Sequence, residues 1–150
     1  MKEKKTTSPV HWQIGTCDGF KLMRTKIHYS DKERYEVYMV KPDSREKPIS
    51  FMFMLPNFAD ASKDIRIGFA NKGKTDPRIR IEWSLDKIDN SVGFSMDSRL
   101  DSKGGLSVDL FYCFLSHDQI LLNFWVKDGS YYIRRLPLGD FKETYLRLLE

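Results

Sequence analysis

The chain has 150 residues, 41% apolar and 13% aromatic, with 25 basic against 21 acidic side chains and a net charge of +4. That is enough for one domain with a sizeable core, and no apolar run is long enough to span a bilayer as a helix. The mild positive charge favours anionic surfaces but excludes the dense basic character of a dedicated nucleic-acid binder.

The start, MKEKKTTSP (residues 1–9), reads as a disordered lead-in to a single β-rich domain over residues 10–150. It has no apolar h-region, so it is no signal peptide as written. The chain is either cytosolic or has lost a signal ahead of Met1.

Short alternating runs follow, as in all-β proteins. VHWQI (10–14) is the first expected strand, and GFKLMRTKIHY (19–29) sets Met23, Thr25, Ile27 and Tyr29 against Leu22, Arg24, Lys26 and His28. RYEVYMV (34–40) places Tyr35, Val37 and Met39 on one face, and Asp31-Lys32 between these two runs marks a hairpin. After a polar break (42–48), ISFMFML (49–55) is apolar on both sides and is expected to be buried on both. DIRIGF (64–69) turns Ile65, Ile67 and Phe69 inward. RIRIEW (78–83) does the same with Ile79, Ile81 and Trp83, and the loop between them carries Lys72, Gly73 and Lys74. SVGFSM (91–96) is a weaker run, and residues 101–105 form a polar loop.

SVDLFYCFLSHD (107–118) reads as a short helix in preference to a strand. Ser107 would cap it, Asp109 would suit the first-turn dipole, and Leu110, Phe111, Phe114 and Leu115 would share a face. ILLNFWV (120–126) and YYIRRLPL (131–138) flank Asp128-Gly129, a pair that predicts a type I′ hairpin turn. DFKETYLRLLE (140–150) predicts a closing helix with Asp140 as N-cap and Phe141, Tyr145, Leu148 and Leu149 on its apolar face. The fold class is therefore α+β and mostly antiparallel β. A sandwich or strongly curved sheet would carry one or two short helices, one of them C-terminal.

The order of elements resembles the invasion-associated locus B family of bacterial secreted or periplasmic proteins. FMFMLP (51–56), the strands DIRIGF and RIRIEW, and LFYCFLSHDQ (110–119) running into ILLNFWVKDGSYYIRRLPL carry the likeness. So do LGDF (138–141) before the last helix and HWQIGTC (11–17) at the front. The chain departs from the family in having no cysteine on RIRIEW or SVGFSM, and in the Asp140 that interrupts the Gly-Phe order. The resemblance implies a β-rich periplasmic or secreted protein linked to host interaction and invasion, and no particular reaction.

The sharpest surface feature is basic. Arg66, Arg78 and Arg80 point away from the apolar faces of two strands, with Lys72 and Lys74 in the loop between. These five could form a cationic face for a protein or another anionic partner. An ordinary solvated face, diluted by Asp64, Asp76 and Glu82, is the plainer reading. Trp83, Tyr35 and Tyr131 look like core, so the stacking aromatics of a nucleic-acid site are not expected beside it.

Cys113 and His117 are four apart, a spacing that makes them neighbours on a helix and could activate a thiolate. The Phe-Tyr-Cys-Phe setting would instead keep the thiol protonated. Cys17 and Cys113 match no metal or redox spacing, and a disulfide and two separate thiols both remain open. His11 and His28 lack zinc-site spacing. IDNSVGF (88–94) approaches the PilZ motif of cyclic-di-GMP binders, but its glycine comes one residue early and no Arg-x-x-x-Arg precedes it. No catalytic residue, metal or cofactor is expected. A non-catalytic, extracytoplasmic interaction protein is the first reading, and a cytosolic module for an anionic small molecule or nucleic acid the alternative.

Overall fold

The computed structural model describes residues 10–44, 46–101 and 107–150, so the expected lead-in and most of the loop expected at 101–105 lie outside the described residues. The chain runs β1 (Gln13–Cys17), β2 (Phe20–Ser30), β3 (Glu33–Lys41), β4 (Ser50–Leu55), β5 (Ile65–Asn71), β6 (Lys74–Thr75), β7 (Ile81–Trp83) and β8 (Asp86–Ile88). It continues through β9 (Ser91–Asp97), β10 (Arg99–Asp101), β11 (Ser107–Asp109), α1 (Leu110–Ser116), β12 (Gln119–Trp125), β13 (Tyr131–Pro137) and α2 (Phe141–Leu148). Every strand pairing is antiparallel. The architecture is the expected mostly antiparallel α+β one.

One sheet has six strands in the order β1-β2-β3-β4-β9-β8. A second has five, β13-β12-β5-β6, with β7 also pairing β5, and β10 and β11 form a small two-stranded sheet of their own. Alternation explains which side chains meet between the two larger sheets. Met23, Ile27, Tyr35, Val37, Met39, Phe51 and Phe53 from the first sheet face Ile65, Ile67, Phe69, Ile120, Leu122 and Phe124 from the second, all essentially buried. Phe114 of α1 fills the seam, stacked on Phe51 at 4.5 Å and edge-on to Phe69 at 5.6 Å. Burying each such ring contributes about 1.5–3 kcal/mol.

Four expectations are corrected. β4 is fully buried on one side only: Phe51, Phe53 and Leu55 are inside, while Met52 and Met54 are half-buried on the other face. The cap of α1 is Asp109, whose carboxylate accepts from Tyr112 N at 3.1 Å, while Ser107 belongs to β11. Leu149 is exposed, beyond the apolar face of α2. The turn at Asp128-Gly129 is not type I′. Val126 pairs with Ser130 across three residues, and Gly129 alone has positive φ, 93°. Asp128 accepts from Ser130 N at 2.8 Å, which holds this bulged form. Two-residue turns with both φ positive occur instead at Asp18-Gly19 (45° and 82°) and Lys72-Gly73 (50° and 79°).

The first strand also starts later than expected, at Gln13, because Val10 to Trp12 is used as a strap. Trp12 N donates to Asp140 Oδ1 at 2.8 Å, and its indole Nε1 donates to Leu138 O at 2.7 Å. The Trp12 ring meets Phe141 edge-on at 5.0 Å. Gly139 sits beneath with φ 59°. A Cβ there would fall 1.9 Å from Val10 O, so no other residue fits. The two short motifs HWQIGTC and LGDF, at opposite ends of the chain, thus meet in space.

Candidate functional site

Register decides what the five-stranded sheet shows to solvent. In an antiparallel pair, residues directly opposite share a face. Arg66 of β5 lies opposite Asn123 of β12, which lies opposite Ile133 of β13. Leu121 lies between Gly68 and Arg135, and Trp125 faces Tyr131. All of these point away from the core. Trp125 and Tyr131 are 41% and 40% exposed with rings 4.9 Å apart, and Ile133 is 62% exposed. Gly68 leaves the middle of the face low, and Arg135 reaches across it from β13 to Gly73 O (3.0 Å) and Thr75 Oγ1 (3.3 Å). The amide oxygens of Gln119 and Asn123, on this same side of β12, are enclosed without a donor among the described residues. Such an oxygen costs about 1–3 kcal/mol.

The five basic residues expected to share one face do not all do so. Arg66 is on the outer face, in a 3.2 Å ion pair with Glu82 across from it. Arg80, one residue before β7, is exposed. Lys72 is at the tip of the β5–β6 turn, and Lys74 lies opposite Asn71 on the other side of the sheet. Arg78 is drawn down onto Asp76, with Nε and Nη2 at 3.0 and 2.9 Å from its two oxygens. The cause is topological. β6 and β7 both pair with the same edge of β5, so the segment 76–80 between them loops out and breaks the alternation that RIRIEW implies.

Arg135 and Trp125 were missed as members of this face, and Tyr131 was misplaced in the core. YYIRRLPL carries tyrosine and arginine on both of its alternating sets, so the pattern alone names no inner face. Only pairing with the unambiguous Ile120, Leu122 and Phe124 set resolves it.

The other arginine, Arg134, points inward. It pairs with buried Glu33 through Nε–Oε2 and, at 3.0 Å, Nη2–Oε1. Its guanidinium lies 4.3 Å from the Tyr29 ring centre and 4.2 Å from that of Tyr132. Tyr35 donates to the same Glu33 at 2.6 Å. Burial and the Glu33 charge push the Tyr35 hydroxyl pKa up. Burial works against the Arg134 charge, but Glu33 outweighs it and holds the guanidinium protonated. This satisfied network bolts β3 to β13.

His117 performs a similar tethering job at the other end. Its Nε2 is 3.0 Å from Asp76 Oδ2, and its Nδ1 is 2.9 Å from Cys113 O and 3.0 Å from Ser116 Oγ. Arg78 first, then His117, hold the Asp76 carboxyl well below its ordinary range. The Cys113–His117 pair is therefore structural, as its Phe-Tyr-Cys-Phe setting implies. The imidazole meets the cysteine's carbonyl, and burial, with Asp109 and Asp76 nearby, pushes the thiol up to about 12. Ser116 Oγ donates to Tyr112 O at 2.8 Å, closing the helix end. Cys17 and Cys113 are both free thiols, one exposed and one buried. At the site of the PilZ comparison, Asp89 has φ 54° in the tight β8–β9 turn.

The fold and this face define a β-rich protein with an open aromatic and cationic sheet surface. No family model matches the sequence, and no curated protein matches it. Among solved structures the chain is similar to the crystal structure of invasion associated protein B from Bartonella henselae, with a TM-score of 0.62 over 97% of this chain and 96% of that one. The identity is 15%, so the likeness is one of fold. It coincides with the resemblance drawn from the order of elements.

Proposed function

We propose that the protein is a non-catalytic binding protein, periplasmic or secreted, which engages an anionic partner at the host-cell or envelope surface through the outer face of its five-stranded sheet. The observation that carries this reading is the register Arg66–Asn123–Ile133, which sets arginine beside the exposed Trp125, Tyr131 and Ile133. Trp, Tyr and Arg dominate binding hot spots because they bring large area together with a polar handle. The neighbour's printed name, invasion associated protein B, supports a role in invasion. The absence of a reaction in the proposal rests on Cys113, His117 and Asp76 being committed to structural bonds.

The test is binding to immobilised heparin and to intact host cells by the triple variant Arg66→Glu, Arg80→Glu, Trp125→Ala. A loss of about tenfold or more, with a weaker salt dependence, is expected. Binding equal to the parent would remove this face from the account. Fractionating cells that express the native gene tests the compartment.

One observation favours the second reading, a small-molecule module. A cleft of about 370 Å³ is lined by His11, Gln13, Arg24, Thr25 and Lys26. Its positive charge is already partly answered, since Lys26 pairs with Glu36 at 3.6 Å and His11 with Asp140 at 3.2 Å. A phosphate or nucleotide titration that stabilises the parent but not Arg24→Gln would promote this reading over the first.

A further inference from the structure

Among the described residues, one edge of β13 is unpaired. Hydrogen-bonded and open pairs alternate along an antiparallel ladder. Val126 N donates to Ser130 O, and Leu138 N donates to Asp118 O, so even-numbered residues of β13 bond to β12. Tyr131, Ile133 and Arg135 therefore turn their N–H and C=O groups outward, and β13 ends the sheet on that side. Arg134 Nη1 approaches Ile133 O at 3.5 Å, the limit of a hydrogen bond, and leaves that carbonyl a second lone pair.

We propose that β13 pairs antiparallel with β13 of a second copy, about a two-fold axis at Ile133. Around that axis Tyr131 lies opposite Arg135 of the partner subunit, Tyr132 opposite Arg134 of the partner subunit, and Ile133 opposite its own copy. The guanidiniums stay within their own subunit, Arg134 on Glu33 and Arg135 on Gly73 O and Thr75 Oγ1, so no cationic head meets another, and the exposed Ile133 side chains cover one another across the axis. All the outward-turned backbone groups pair with outward-turned groups, giving about six main-chain hydrogen bonds. Moving the axis one residue, to Arg134, would set Ile133 opposite Arg135 of the partner subunit and lose the apolar Ile133 pair, which selects against that register. Pro137, with no N–H, ends the ladder on one side, and the left-handed Gly129 would lie opposite it. The two five-stranded sheets become one, and the exposed Trp125, Tyr131 and Ile133 form a single surface across the axis. This dimer stands independently of what that surface binds.

The experiment is sedimentation equilibrium with three proteins. For the parent, the mass should rise from the 17.7 kDa of one chain toward twice that between about 1 and 100 µM, as suits a small interface. Ile133→Pro removes an N–H that β12 does not use, so the fold persists while the dimer weakens by about tenfold or more. Ile133→Cys in a Cys17→Ser background should form an intermolecular disulfide on mild oxidation, since opposed Cα atoms lie about 5.5 Å apart. Tyr131→Cys in that background should not. A parent that stays monomeric, a dimer undisturbed by Ile133→Pro, or cross-linking through Tyr131→Cys in place of Ile133→Cys would each overturn the proposal. The cysteine arm decides the matter even if the proline variant misfolds.

Discussion

On the inner face of the β12–β13 hairpin, Ile120, Leu122, Phe124 and Leu136 are fully enclosed, and the one charged side chain, Arg134, is held by Glu33 and two tyrosine rings. On the outer face, one residue away in every case, Trp125, Tyr131 and Ile133 are open to solvent, and Arg135 lies across the surface. The two faces have similar compositions. What differs is whether a second sheet covers them. Aromatic and arginine content alone therefore says nothing about role here. The same residue types build a core on one side and offer a binding surface on the other.

Phe124→Ala should show the largest effect, a loss of about 3–5 kcal/mol in denaturant unfolding, because the cavity opens between both sheets. Arg134→Ala should follow at about 3 kcal/mol, most of it the cost of leaving Glu33 buried and unpaired. Adding Glu33→Gln should recover part of that loss, and a double variant no better than the single would show that packing on Tyr29 and Tyr132 dominates. Trp125→Ala should change stability by no more than about 0.5 kcal/mol. If it costs as much as Phe124→Ala, the outer face is part of the core and the contrast collapses.

The strands with one apolar set were legible in the sequence: Met23 and Ile27, Tyr35 and Val37, Ile65, Ile67 and Phe69, and Ile120, Leu122 and Phe124 all sit where alternation places them. So was α1, although Asp109 and not Ser107 caps it. Illegible were features set by a partner distant in sequence. The strand period sets Arg78 on the Arg66 face, but it lies in the loop before β7 and pairs with Asp76, which is itself fixed by His117. The face of Tyr131 depended on a register that neither its own run nor the Asp-Gly signal fixes, because the turn takes three residues and not two. The candidate surface therefore emerged only with the pairing of β5, β12 and β13.

The strap of Val10 and Trp12 over Gly139 and Asp140 carries one more consequence, for the order of events as the molecule is made. These contacts join residues 126 and 128 positions apart. Closing so long a loop is slow and late. The Trp12 ring must wait unsheltered until residues 138–141 are available to meet it. The hairpins, whose strands are neighbours in sequence, can form before that strap closes.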